Sequence, residues 1–215
     1  MEAGTAAERR FETTAGRTAP ERLQFVPSPI ADPAPLGLAA FALTTFVLSM
    51  FNADLIGKGG EPIVFGLALA YGGLAQVLAG MWEFRTGNTF GAVAFTSYGA
   101  FWLSFWAFVQ FFEKSVPAAD AGHAVGLFLI AWGVFTTYML VASLRTTAAI
   151  ATVFALLAVT FFLLGIGNAG AHPNVIKLGG WVGLATAVAA WYASFAAVTN
   201  STFGRVVMPV RPLSR

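Results

Sequence analysis

The sequence predicts an all-α, polytopic membrane protein with six transmembrane helices. The chain has 215 residues, of which 57% are hydrophobic and only 10% are charged, and its mean hydropathy is +0.73. A typical globular domain is about 45–50% apolar and about 25% charged. The 12 basic and 10 acidic side chains of this chain are therefore too few to cover the surface of a soluble domain of this length.

The N-terminal segment, residues 1–34, differs in composition from the rest of the chain. It holds four arginines and four glutamates, and no apolar run in it is long enough to form the core of a signal peptide. We predict that this segment is a mobile cytosolic tail.

Six apolar stretches follow, and each is about long enough to cross a hydrocarbon layer about 30 Å thick at about 1.5 Å per residue. The predicted spans are Pro35–Phe51, Ile63–Met81, Phe90–Phe112, Gly122–Leu144, Thr147–Asn168 and Ile176–Val198. The stretches are continuously apolar, whereas the strands of a membrane barrel alternate between apolar and polar residues. Residues 35–198 thus form the predicted six-helix transmembrane domain. The third span holds ten aromatic residues, too many for one face, so it should contact both lipid and protein.

The distribution of basic residues predicts the orientation, because cytoplasmic loops retain lysine and arginine during insertion. If the N-terminus is cytosolic, nine basic residues lie on the cytosolic side: Arg9, Arg10, Arg17, Arg22, Arg85, Arg145, Arg205, Arg211 and Arg215. Only Lys58, Lys114 and Lys177 lie on the other side. Six crossings also return residues 199–215 to the cytosol as a C-terminal tail. The predicted location is the plasma or inner membrane.

The composition argues against several classes of function. A net charge of +2 without a cluster of basic residues does not favour nucleic-acid binding. The chain has no cysteine, which excludes disulfides, thiolate nucleophiles and iron–sulfur clusters. None of the charged residues falls in the middle of an apolar stretch, so a voltage sensor or a buried carboxylate relay loses support. No paired catalytic groups and no cluster of metal ligands appear within the spans, so we expect no enzyme, no bound metal and no cofactor.

Two strings of residues next to the predicted spans stand out. Asp32-Pro33-Ala34-Pro35-Leu36-Gly37-Leu38 leads into the first span, where Pro35 suits the first helical turn and Asp32 can cap the helix or lie at a pore mouth. Gly87-Asn88-Thr89-Phe90-Gly91 leads into the third span, where Asn88 has the same two roles open to it.

Three further strings belong with these two: Gly72-Gly73-Leu74-Ala75-Gln76, Trp82-Glu83-Phe84 and the segment from Phe95 to Trp102. Together the five strings closely resemble the acetate uptake transporter family, also called the GPR1/FUN34/YaaH family. The resemblance covers about Asp32 to Pro209. It implies six membrane helices per subunit, a homohexamer, and a path for small carboxylates such as acetate or succinate within each subunit.

The resemblance also implies a narrow apolar constriction. Matching the family's strings to this chain places it at Phe41, Tyr98 and Leu157. Ala190 corresponds to a small residue that the family associates with substrate size. One departure concerns the first string, which usually opens with asparagine and here opens with Asp32. Because an ionised carboxylate repels an anionic substrate, we hypothesise that Asp32 tunes the pH dependence of transport.

Acetate is almost entirely ionised at neutral pH, and an anion is costly to move through a tube that has no fixed positive charge. One solution is transient binding by hydroxyl and amide groups. The candidates along the substrate path are Thr44, Thr45, Gln76, Ser97, Tyr98 and Asn168. The other solution is that a proton crosses with the substrate. The sequence leaves open a channel and a proton symporter, and also a non-transporting sensor or scaffold and a channel for another small solute.

Overall fold

The structure is a computed structural model that describes residues 30–213. Most of the predicted N-terminal tail, residues 1–29, and the last two residues of the chain lie outside the described part. Within residues 30–213 the fold is helical, and its one strand-like contact is an isolated bridge between Thr147 and Pro212. The predicted all-α class is confirmed.

Six helical segments of residues 30–213 are long and apolar enough to cross a membrane, and they match the six predicted spans in order. The first is helix α1, Ala34–Asn52. The second joins α2, Ile63–Leu69, to α3, Gln76–Thr86, through a π-helical turn at Ala70–Ala75. The third is α4, Thr89–Ala107, extended by a π-helical turn at Phe108–Phe112. The last three are α5, Ala118–Ser143, α6, Ala148–Ala169, and α7, Pro173–Phe203.

The helices extend beyond the predicted spans at several ends. The second span continues five residues past Met81 to Thr86, so Glu83 and Arg85 belong to a helix although the sequence places them in a loop. Gly87 ends this helix in the left-handed conformation with φ +80°, which glycine adopts without steric cost. Helix α7 likewise continues to Phe203, so the predicted C-terminal tail begins inside a helix.

Small residues bring the helices into close contact. A Cβ atom added to Gly180 of α7 would collide with the backbone of Ala53 and Asn52 at the end of α1, and one added to Gly80 of α3 would collide with the backbone of Thr96 in α4. Close backbone approach is how helices associate in lipid, where hydrophobic burial supplies little driving force. The main pairs are α1 with α7, α5 with α6, α6 with α7, and α3 with α4.

The described part of the chain begins and ends at the same end of the bundle. The hydroxyl group of Ser194 in α7 donates a hydrogen bond of 2.7 Å to the backbone oxygen of Pro35. After α7 the chain folds back, and Leu213 N donates to the backbone oxygen of Thr146, between α5 and α6, at 2.9 Å. We call this the terminal end of the bundle. The other end carries the connections after Asn52, Ser115 and Ala169.

Candidate transport path

A cavity of about 370 Å³ enters the bundle from the end opposite the terminal end. Four helices surround it, since its lining includes residues near the end of α1, the end of α4, the start of α5 and the end of α6. Its lining residues are Leu48, Asn52, Glu61, Phe101, Phe105, Phe108, Ala124, Val125, Phe128, Leu129, Leu164 and Asn168. We call this cavity the vestibule. Its wall is apolar apart from two asparagines and one carboxylate.

The three residues that the family resemblance assigns to a constriction lie together beyond the inner end of the vestibule. Phe41 is 5% exposed, Tyr98 3% and Leu157 4%, and all three belong to one buried cluster. The ring centroids of Phe41 and Tyr98 are 5.9 Å apart. Ala190 of α7 is fully buried in the same cluster. Residues from α1, α4, α6 and α7 thus close the centre of the bundle with apolar and aromatic groups.

Tyr98 is held by a hydrogen bond to the neighbouring helix. Its hydroxyl oxygen lies 2.9 Å from Oγ1 of Thr136 in α5. Thr136 Oγ1 already donates its single proton to the backbone oxygen of Trp132 at 2.7 Å. Tyr98 must therefore be the donor in the bond between the two hydroxyl groups. As long as this bond is formed, the proton of Tyr98 is not free for a substrate.

Thr45 and Asn168 are the predicted polar path residues that the structure places beside the vestibule and the constriction. Thr45 lies on the face of α1 that carries Phe41, Leu48 and Asn52, because these positions are three or four residues apart. Its hydroxyl group is buried and finds no hydrogen-bond partner among residues 30–213. Asn168 lines the vestibule and donates from Nδ2 to the backbone oxygen of Leu164 at 2.8 Å.

The other predicted polar path residues, Thr44, Gln76 and Ser97, are not among the residues that line the vestibule. Thr44 donates to the backbone oxygen of Ala40 at 2.9 Å and packs against Gly72, in the π-helical turn of the second span. Gln76 is 1% exposed, and its Oε1 has no partner within the described part of the chain. Ser97 is half-buried and is not part of the vestibule lining.

The two residues predicted to lie at a pore mouth or to cap a helix make capping hydrogen bonds at the terminal end. Asp32 Oδ1 accepts a bond of 2.9 Å from Ala34 N, in the first turn of α1. Asn88 Oδ1 accepts a bond of 3.1 Å from Gly91 N, in the first turn of α4. Both bonds satisfy backbone donors that a helix start leaves without partners.

Sequence reasoning missed Glu83, which is 1% exposed. Its Oε2 accepts a hydrogen bond of 3.1 Å from Thr86, and its Oε1 lies against the α-carbon of Gly91, where an added Cβ atom would be 2.6 Å away. The string Trp82-Glu83-Phe84 places a carboxylate beside aromatic residues. Nothing in that pattern shows that the start of α4 packs over it.

The remaining missed residues form the aromatic wall between the vestibule and Tyr98. Phe161 of α6 stacks on Tyr98 with ring centroids 6.4 Å apart, and Trp132 of α5 lies 6.1 Å from Tyr98. The one aromatic signal in the sequence, the ten aromatic residues of the third span, does not include these two residues, which belong to the fourth and fifth predicted spans. This signal also does not show which aromatic residues face inwards.

Comparison with known proteins gives one consistent result. Residues 14–215 match the model of the GPR1/FUN34/yaaH family. The chain is 46% identical over 195 residues to a protein of Emericella nidulans named acetate permease A, covering 84% of this chain and 65% of that protein. It is 39% identical over 181 residues to the succinate-acetate/proton symporter SatP of Escherichia coli, covering 84% of this chain and 95% of that protein.

A third relative is the ammonia transport outward protein 2 of Saccharomyces cerevisiae, which is 43% identical over 182 residues, with coverage of 81% of this chain and 64% of that protein. The fold also matches the solved structure of the bacterial acetate channel SatP with a TM-score of 0.79 and 39% identity, over 84% of this chain and 99% of that chain. These relatives are all named as transporters or channels. The six-helix membrane protein described here therefore belongs to the GPR1/FUN34/YaaH family.

Proposed function

We propose that this chain transports acetate and related small carboxylates, including succinate, across the membrane through a path within each subunit. The observation that carries the proposal is the vestibule ending at a buried closure of Phe41, Tyr98 and Leu157. The names of the relatives and of the structural neighbour, which are acetate permease, succinate-acetate/proton symporter and acetate channel, support acetate as the first substrate to test.

The path carries a small number of polar groups that can form hydrogen bonds with a carboxylate. Asn52 and Asn168 line the vestibule, and the buried hydroxyl group of Thr45 lies between the vestibule and the constriction without a partner among the described residues. The free energy falls when a buried hydroxyl group without a partner forms a hydrogen bond. The carboxyl oxygens of a passing substrate can supply that partner.

The charge of the vestibule favours the protonated acid over the anion. Its one charged lining residue within the described part of the chain is Glu61, and a carboxylate repels an anionic substrate and not a neutral acid. A proton that enters with the substrate needs no relay of titratable groups through the bundle. We therefore propose substrate-borne protons as the source of any proton coupling, with channel-like passage of the anion as the competing mechanism.

The assembly that we propose is a homohexamer in the plasma or inner membrane with both chain ends in the cytosol. A shallow apolar groove on the outer face of α6 and α7, lined in part by Trp181, Val188 and Tyr192, supports a subunit contact. The excess of arginine at the terminal end supports the orientation.

The test is the flux of labelled acetate into proteoliposomes, with and without an inward proton gradient. Wild type, Tyr98→Ala and Tyr138→Ala are compared with protein-free liposomes, since Tyr138 is an exposed tyrosine of α5 outside the proposed path. Flux above the lipid background that changes in Tyr98→Ala but not in Tyr138→Ala supports the proposal. Accumulation driven by the gradient beyond the protein-free control supports symport. No flux under any gradient contradicts transport and leaves a sensor or scaffold.

Ammonia is the second candidate substrate, because one relative carries ammonia transport in its name. The same proteoliposomes can be assayed for the uptake of labelled methylammonium. Uptake of methylammonium without uptake of acetate would favour a channel for this other solute.

A further inference from the structure

An aromatic ring that the family constriction does not include lies at the inner end of the vestibule. Helix α4 and its extension line the vestibule with Phe101, Phe105 and Phe108, about one turn apart. Phe101 is the deepest of the three, and it is 5% exposed. Only a small part of its ring is therefore exposed, and the rest is buried in the protein.

The neighbours of Phe101 fix the position of its ring. It meets Phe161 of α6 edge to face with centroids 5.3 Å apart, and Trp132 of α5 in the same way at 5.3 Å. Its own neighbour Trp102 packs against it at 5.0 Å. These contacts enclose the ring on the sides that face the protein. Phe128 of α5, which also lines the vestibule, stacks on the ring with centroids 5.4 Å apart, so a displacement of Phe101 towards the vestibule must move past Phe128 or shift it.

Phe101 and Tyr98 form two consecutive layers. Tyr98 lies about one helical turn deeper on α4 and contacts the same two rings, Phe161 at 6.4 Å and Trp132 at 6.1 Å. On α1, Thr45 lies between Leu48, which lines the vestibule, and Phe41, which belongs to the constriction. The hydroxyl group of Thr45, which has no hydrogen-bond partner within residues 30–213, thus marks the level between the two layers.

We propose that Phe101, backed by Phe161, is a second gate in series with the constriction at Tyr98, and that its displacement into the vestibule sets the upper size of the carboxylate that passes. This inference rests on the proposed transport function. A larger substrate needs a larger displacement of the ring against its packed neighbours. Shortening Phe101 therefore helps a four-carbon dicarboxylate more than it helps acetate.

The first test is the ratio of succinate flux to acetate flux in proteoliposomes. The variants are Phe101→Ala and the milder Phe101→Leu, and the matched control is Phe111→Ala, a phenylalanine of the same span that is 64% exposed and lies outside the vestibule lining. We expect the ratio to rise severalfold in Phe101→Ala, to rise less in Phe101→Leu, and to stay at the wild-type value in Phe111→Ala. An unchanged ratio in both Phe101 variants overturns the gate.

The second test does not depend on transport. The chain has no cysteine, so Thr45→Cys supplies a single thiol at the level between the two layers. Its labelling rate by a small methanethiosulfonate reagent is measured alone and combined with Phe101→Ala, Phe101→Leu or Phe111→Ala. We expect slow labelling that accelerates only with the Phe101 substitutions. Equal rates in all four proteins overturn the gate, even where wild type transports acetate.

The two tests separate the gate from the transport function. If the wild type moves no acetate but Phe101→Leu accelerates the labelling of Thr45→Cys, the proposed transport function is contradicted. The proposal that Phe101 closes the vestibule is then still supported. Size-exclusion chromatography of each purified variant shows whether it is folded, and Phe101→Leu keeps the gate testable where the alanine variant fails to fold.

Discussion

The hydroxyl groups of Tyr98 and Thr136 are joined by a buried hydrogen bond of 2.9 Å in which Tyr98 is the donor. This bond ties the ring of the proposed constriction, on α4, to α5. Tyr98 and Phe101 of α4 also pack against Trp132 of α5, so the bond adds a polar connection to the aromatic contacts between the two walls of the path. If Tyr98 moves to open the constriction, either this hydrogen bond breaks or α5 moves together with Tyr98.

We expect Thr136→Val to destabilise the protein, because the nearly isosteric valine leaves the Tyr98 hydroxyl group buried without its acceptor. Polar contacts between membrane helices contribute about 0.5–1.5 kcal/mol, and that is the expected loss. The measurement is thermal unfolding in detergent of Thr136→Val, Tyr98→Phe and the double variant. The double variant should lose less than the sum of the two single losses. Additive losses would show that the two hydroxyl groups do not stabilise one another.

Ala190 should tolerate no larger side chain. It is fully buried in the cluster that contains Phe41, Tyr98 and Leu157. Overpacking such a site costs about 1–3 kcal/mol, and the added atoms narrow the proposed path. We expect Ala190→Leu to lower the thermal midpoint and to reduce succinate flux more than acetate flux. Val198→Leu, at a half-exposed position of the same helix, is the control and should leave both quantities unchanged.

Gly180 of α7 packs closely against the backbone at the end of α1. Alanine at this position would force its Cβ atom into the backbone of Ala53 and Asn52, so the two helices must move apart. We expect Gly180→Ala to lower the thermal midpoint clearly. Gly66→Ala is a matched control, because a Cβ atom there meets no atom of residues 30–213 within 4 Å and alanine favours a helix by about 1 kcal/mol over glycine. If Gly66→Ala lowers the thermal midpoint as much as Gly180→Ala does, close helix packing at Gly180 is not the cause of the lower midpoint.

Asp32 can be tested for charge and for capping separately. Its Oδ1 accepts from Ala34 N, and asparagine can accept the same bond without the charge. We expect Asp32→Asn to retain stability while it changes the pH profile of acetate uptake, as the charge hypothesis requires. Asp32→Ala should lose about 1 kcal/mol of stability as well. If Asp32→Asn has the wild-type rate and pH profile, the residue is only a helix cap.

Contacts between helices explain why the sequence alone did not locate Glu83 and the aromatic residues beside the path. Glu83 lies two residues after Met81, the last residue of its predicted span, and its charge placed it in a loop. It is buried because Gly91, which has no side chain, lets the first turn of α4 cover it. Phe101, Trp132 and Phe161 are three aromatics among many in the spans, and only the packing of α4, α5 and α6 selects them as the wall of the path.

The sequence by itself determined the number, order and approximate ends of the membrane helices. The thickness of the bilayer fixes the length of an apolar run, and the predicted capping residue Asn88 marks where the third span begins. The strings around Asp32, Tyr98 and Gln76 determined the family, and through it the group Phe41, Tyr98 and Leu157 that the structure brings together.

Only the tertiary structure decided which face of each helix points inwards. Helices that are apolar all round, facing lipid on one side and protein on the other, carry almost no amphipathic signal. The sequence therefore could not distinguish Thr44, which packs against Gly72, from Thr45, which lies on the face of α1 that carries Phe41 and Leu48. Direct contacts between helices make that distinction, and they place the vestibule and its two aromatic layers.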